Sequence, residues 1–198
     1  MVIYCIGGSP CSGKSTVAEA LAAHYSLPCF KVDDHLDDFT ARGAAAGLPV
    51  CQRILQMSAD ETWLRPPRVQ CREELDYYRE IFPFVMEKLA EANVPRIITE
   101  GAAFLPGLMA ETAHYIAVTP SRAFQVSRYS QRPWVPHVLQ DCTDKERAFA
   151  NWMERDALFA EEVRRQCTRL RLPHLLTDGT VPPEERLRQV AARFGLDA

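Results

Sequence analysis

Residues 8–15 read Gly-Ser-Pro-Cys-Ser-Gly-Lys-Ser, the Gly-x4-Gly-Lys-Ser/Thr spacing whose chemistry is the holding of nucleotide phosphates. Glycines at both ends let the loop of Gly8, Ser9, Pro10, Cys11, Ser12 and Gly13 curl, so that its backbone N–H groups point inward and the helix that follows adds its partial positive charge. Lys14 is then expected to bridge the β and γ phosphates, and Ser15 to hold Mg²⁺, with Thr16 completing the phosphate-binding run. Cys11 leaves two readings open. A thiol beside a helix N-terminus can have a lowered pKa and be open to oxidation, or it is a small residue that the loop tolerates.

A phosphate loop works only between a strand and a helix, and the flanks provide both. Val2 to Ile6 is a strand-length apolar run, and Gly13 to Tyr25 has Val17, Leu21 and Ala22 at helical spacing. Strand-length runs then alternate with helical segments, the pattern of a parallel sheet covered by helices. Further strands are expected at Pro28–Val32, Arg96–Thr99, His114–Val118 and His174–Thr177. A helix is expected from Arg72 to Asn93, kinked or broken at Pro83. Another opens at Pro120 and Ser121, and a third carries Phe149, Trp152, Phe159, Val163 and Leu170 before a final one from Pro183. Between about Asp34 and Gln70, Gly43, Gly47, Pro49, Pro66 and Pro67 leave short helices joined by loops. Ser130 to Asp144 reads as a polar loop.

With its GSPCSGKST loop, VDD after the second strand, strand-ending TEG, arginine-bearing helix before a polar segment and TDGT near the end, the chain resembles the P-loop small-molecule kinases, the group of adenylate, shikimate and gluconate kinases. The resemblance implies a single domain over residues 1–198, of α/β class. Its fold would be the three-layer P-loop NTPase fold, with a five-stranded parallel sheet of order 2-3-1-4-5. An acceptor-binding insertion at about 34–92 and a short lid at about 130–144 go with it. It also implies ATP and Mg²⁺ as cofactors and a small-molecule acceptor as the partner.

Roles carry over by position. Asp33, with Asp34 beside it, would meet the acceptor hydroxyl, orient it and take its proton late; the alternative is that either Asp caps the next helix. Glu100 and Gly101 of the TEG would lie at the metal or the acceptor, unless Glu100 is a strand end facing solvent. Arg128 would stack near adenine and Arg132 would reach the phosphates, on one helix face if the helix persists that far. Asp178, Gly179 and Thr180 would line the adenine. Asp156 falls in an apolar stripe and calls for a buried arginine partner, with Arg155 either that ion pair or a phosphate contact. Trp63, Arg65, Arg68 and Arg72 are either a grip for an anionic acceptor or a solvated face.

A net charge of −3 without a dense basic stripe argues against nucleic acid as a partner. Seven scattered cysteines, never paired as CxxC, argue against a disulfide framework or a zinc site. The opening MVIYCIGG is too short an apolar run for a leader, and no stretch is long enough to span a membrane. A cytoplasmic monomer or homodimer is the expectation. A nucleotide-binding sensor that hydrolyses slowly is the competing reading, whereas a GTPase lacks its NKxD and DxxG motifs here.

Overall fold

The computed structural model describes residues 1–196. Its elements follow in the order β1 (Val2–Gly8), α1 (Lys14–Tyr25), β2 (Cys29–Lys31), a 3-10 turn (Val32–His35), α2 (Leu36–Ala45), α3 (Pro49–Ile54), α4 (Ala59–Trp63) and α5 (Pro67–Glu91). Then come β3 (Arg96–Glu100), β4 (Tyr115–Pro120), α6 (Arg122–Ser130), α7 (Val135–Val138), α8 (Lys145–Leu170), β5 (His174–Thr177) and α9 (Pro183–Phe194). The five strands form one sheet of order β2-β3-β1-β4-β5, and every pairing is parallel.

Alternation along the strands divides the apolar side chains between two faces. Tyr4, Ile6, Ile98, Ile116 and Val118 pack with Val17, Leu21, Val190 and Phe194 of α1 and α9. On the opposite face Cys5 and Ala117 pack with Phe39, Tyr78, Ile81, Val85, Phe159 and Val163 of α2, α5 and α8. This gives the three-layer α/β architecture.

Several boundaries differ from the expectations. The second strand stops at Lys31, because Val32 begins the 3-10 turn and buries its side chain. The long helix runs unbroken from Pro67 to Glu91 with Pro83 inside it. Pro83 and Arg79, whose carbonyl loses its helical donor, are both exposed on the outer face, while Ile81, Val85 and Leu89 hold the inner face in the core. The 34–70 region consists of short helices joined by loops, fixed by side chains rather than by length. Glu80 of α5 accepts from the Val50 and Cys51 N–H groups at the start of α3, and Ser58 and Glu61 form a capping box on α4.

The segment 130–144 is less polar than expected. Val135, Leu139 and Cys142 are buried against Tyr129, Trp152 and Met153 in a small cluster of their own, with α7 in the middle. Among the described residues no helix is long and apolar enough to cross a membrane.

Candidate active site

β1 delivers the chain into the loop through Gly8, at φ 124°. A Cβ there would run into the Val118 carbonyl of the neighbouring strand, so both the close approach and the backbone angle require glycine. Cys11 lies in the left-handed region at φ 59°, and Gly13 at φ 85° opens α1 with nothing within 4 Å of where a Cβ would sit. The space over Gly13 is thus open to a ligand. Lys14 is buried and donates to the Ser9 carbonyl at 2.8 Å, and the Ser12 hydroxyl donates to the same oxygen at 2.9 Å. Ser9 Oγ is buried with no hydrogen-bond partner. Burial pushes the Cys11 thiol pKa up, with Arg132 the strongest opposing influence. The lowered pKa that a helix N-terminus can produce is therefore not reached.

Register places the carboxylates at the same rim. Glu100 pairs with Ile6 on one side and Lys31 on the other. Gly101 donates to the Ile6 carbonyl at 3.2 Å and sits so tightly on Val32 that a Cβ would lie 2.6 Å from its side chain. Asp33 follows Val32 directly, so the ends of β2 and β3 set Asp33, Asp34, Glu100 and Gly101 beside the start of the phosphate loop. Glu100 is only 1% exposed and its Oε2 has no hydrogen-bond partner; it does not face solvent. Burial raises its pKa; Lys14 opposes the rise, Asp33 adds to it, and the Ser15 hydroxyl also opposes it. Asp33 and Asp34 are exposed in the first turn of the 3-10 segment, and the N-cap position of the next helix, α2, is taken by His35.

A cavity of about 570 Å³ opens on the other side of the loop, lined by Cys11, Ser12, Gly13 and Thr16, by Arg128 and Arg132, and by Gly179 and Pro182. The helix carrying Arg128 ends at Ser130, so the two arginines do not share a helix face. They reach the same cavity because the chain turns at Gln131. Arg128 lies over the Phe124 ring at 5.1 Å, and Arg132 is held between Tyr129 and Trp134 at 4.9 and 5.3 Å. Of the TDGT run, Thr177 and Gly179 line the cavity. Asp178 instead accepts from Thr180 N–H and Oγ at 2.9 and 2.7 Å, which shapes the loop from outside. Thr177 Oγ donates to the Ser12 carbonyl at 2.9 Å and ties that loop to the phosphate loop.

No family model matches the chain, and no curated protein does. Among solved structures it is similar to TT1252 from Thermus thermophilus, with 22% identity over 96% of each chain and a TM-score of 0.53. It is also similar to an uncharacterized protein from Eubacterium ventriosum, with 15% identity over 98% of this chain and 99% of that one and a TM-score of 0.50. The fold is shared. Shikimate kinase from Aquifex aeolicus aligns over 100% of this chain and 98% of its own at 18% identity and a TM-score of 0.40, too loose a likeness to bear on function. The parallel sheet order and the loop between β1 and α1 are those of the three-layer P-loop NTPase fold.

Helices α5 and α8 meet across a buried ion network. Arg155 contacts Glu74 at 3.0 Å and Asp156 at 2.6 Å, and its guanidinium lies over Trp63 at 5.0 Å. Asp156, 1% exposed, also accepts from the Tyr129 hydroxyl at 3.0 Å. Arg155 is thus the buried partner that Asp156 calls for. Burial pushes the Glu74 pKa up to about 7 against the pull of Arg155, and Asp33 adds to the rise. Arg65 is paired with Glu73, which also takes Arg53 at 2.8 Å. Arg68 and Arg72 line a separate groove with Glu161, Glu162 and Arg165. The four residues Trp63, Arg65, Arg68 and Arg72 do not form a common grip.

Sequence reading missed Phe124, Gln131, Val181, Pro182, Pro183 and Arg186 in the cavity wall. A signal existed only for the prolines, since Pro182 is the N-cap of α9 and Pro183 its first residue. Phe124 sits at a position that any core aromatic could occupy.

Proposed function

We propose that the protein transfers the γ-phosphoryl group of Mg·ATP to a small-molecule acceptor. The observation that carries this reading is Glu100: a buried carboxylate oxygen without a partner, set between the phosphate loop and the Asp33 turn. A buried carboxylate oxygen left without a hydrogen bond is costly, and among the described residues no cluster of three or more His, Cys, Asp or Glu could hold a metal by itself. Magnesium bound mainly through phosphate oxygens, with one or two protein oxygens beside it, fits that donor set. It would neutralise charge on the transferring group.

The chain's own residues supply the rest. Lys14 would exchange the Ser9 carbonyl for β and γ phosphate oxygens, and the loop N–H groups and Ser9 hydroxyl would accept the ligand as their partner. Ser15 and Glu100 would hold magnesium or its waters. Arg128 and Arg132 bound the cavity where a nucleoside would lie, and Arg132, steadied by two rings, would meet charge developing on the phosphates. Asp33, just past the end of β2, would meet the acceptor hydroxyl and orient it, since phosphoryl transfer depends more on positioning than on strong base catalysis.

The test is ADP release from Mg·ATP, measured for the protein and for Lys14→Ala across sugars, sugar acids, nucleosides, nucleotides and hydroxylated antibiotics. Acceptor-stimulated release that vanishes in Lys14→Ala is the expected result. Slow release that no acceptor stimulates would replace this reading with a regulatory ATPase.

A further inference from the structure

We infer that the acceptor is a hydroxyl compound carrying no carboxylate or phosphate, and that a protonated amine on it favours binding; this rests on the phosphotransferase reading above. The argument is the distribution of unpaired charge about the loop. On the acceptor side the carboxylates of Asp33, Asp34 and Glu100 have no ion pair among the described residues, and Glu100 Oε2 is buried without any partner. Apart from Lys14, which the phosphate loop holds on the Ser9 carbonyl for the nucleotide, the nearby cations are already engaged. Arg155 lies between Glu74 and Asp156, Arg65 and Arg53 share Glu73, Lys31 is bound to Glu19, and Arg42 to Glu87. Arg68 and Arg72 belong to a groove built from α5 and α8 alone, which shares no residue with the nucleotide cavity.

The nucleotide side is the reverse. Arg128 and Arg132 line the cavity, each set on aromatic faces and neither ion-paired among the described residues. Free guanidinium groups therefore face the phosphates, and free carboxylates face the acceptor. An anionic acceptor needs a bidentate arginine or comparable donors where it is desolvated, and this side has none to spare. Even with a divalent cation taking up Glu100, Asp33 and Asp34 remain to repel an acid and attract an ammonium group.

In the transfer, the acceptor hydroxyl oxygen bonds to the γ phosphorus as the bond from that phosphorus to the β–γ bridging oxygen breaks. The electron pair leaves with ADP, and the hydroxyl proton passes to Asp33 and then to solvent. A second charge on the acceptor takes no part in this balance, so it can be varied freely.

The experiment uses acceptors matched except at one group: gluconate, glucose and glucosamine; glycerate, glycerol and serinol; uridine monophosphate and uridine. Initial rates of ADP release from Mg·ATP give kcat/KM for each. The neutral or amine member of a set is expected to exceed its anionic member by about tenfold or more. Preference for an anionic member would overturn the inference while leaving the kinase reading in place. No stimulation by any compound, with binding of a non-hydrolysable ATP analogue retained and lost in Lys14→Ala, would overturn both. Asp34→Lys, at an exposed position, is expected to raise the anionic-to-neutral ratio about threefold or more. An unchanged ratio would show that the carboxylates do not set the preference.

Discussion

Glu100 occupies a position where an ordinary strand residue would be apolar. It ends a five-residue strand between two neighbours, buried like the isoleucines before it, and burial raises its pKa. Such a group binds a cation only when ionised. For an acid with a raised pKa, ionisation is completed at higher pH, so magnesium-dependent nucleotide binding should strengthen as pH rises through the weakly acid range. Glu100→Gln keeps the size and removes the charge. We expect it to raise the magnesium needed for half-maximal nucleotide binding about 10–100-fold, the range seen when a group that supports a metal is lost, and to flatten the pH dependence. A titration of a fluorescent ATP analogue against magnesium at several pH values reads both effects. Wild-type magnesium and pH dependence in Glu100→Gln would remove this residue from the metal site.

Helices α5 and α8 meet through Arg155, which counters two buried carboxylates at once. Truncating it leaves both uncompensated, so Arg155→Ala should lower stability by about 3–5 kcal/mol. Denaturant unfolding measures this, and a loss under about 1 kcal/mol would mean that the network is solvated in practice. This element contact also shows what the sequence could convey. Asp156 in an apolar stripe announced a buried partner, because burial of a charge is improbable without one, but nothing local pointed to Glu74, some eighty residues away on another helix. The phosphate loop was legible for the opposite reason, since all its parts lie within eight consecutive residues. Sheet order was implied by the family resemblance and could not have come from periodicity, which records each strand's faces but not its neighbours. The Arg128–Arg132 pairing failed as a helix argument because α6 ends two residues early, and it survives as a shared cavity wall because of a turn. The capping box at Ser58–Glu61 was readable from its spacing alone. The packing of segment 130–144 was not, since Trp63, Trp134 and Trp152 come together only in three dimensions.

For the molecule as a whole, the phosphate loop, the Asp33 turn, Glu100 and the loop after β5 all lie at the carboxyl ends of parallel strands, where open α/β sheets bind ligands. Two helical additions flank that rim, and they are joined to each other. Thr143, at the end of segment 130–144, donates through its N–H and hydroxyl to Asp60 of α4 at 2.8 and 2.7 Å, while Trp134 and Trp63 both pack on Trp152. A nucleotide that contacted Arg132 would therefore act on a segment already tied to α4, and binding should tighten both. At a ligand concentration 100 times its dissociation constant, binding to the folded chain alone adds about 2.7 kcal/mol, which for a chain of this size raises the unfolding midpoint by about 5–10 °C. A non-hydrolysable Mg·ATP analogue should produce that shift and slow proteolysis within residues 130–144. Asp60→Ala cuts the tie without touching the nucleotide cavity, so it should speed cleavage of this segment in the absence of ligand while leaving analogue affinity unchanged. Equal cleavage rates with and without the analogue would show that the segment does not respond to the nucleotide. Equal rates in Asp60→Ala and the unaltered protein would show instead that the aromatic packing holds it without help from α4.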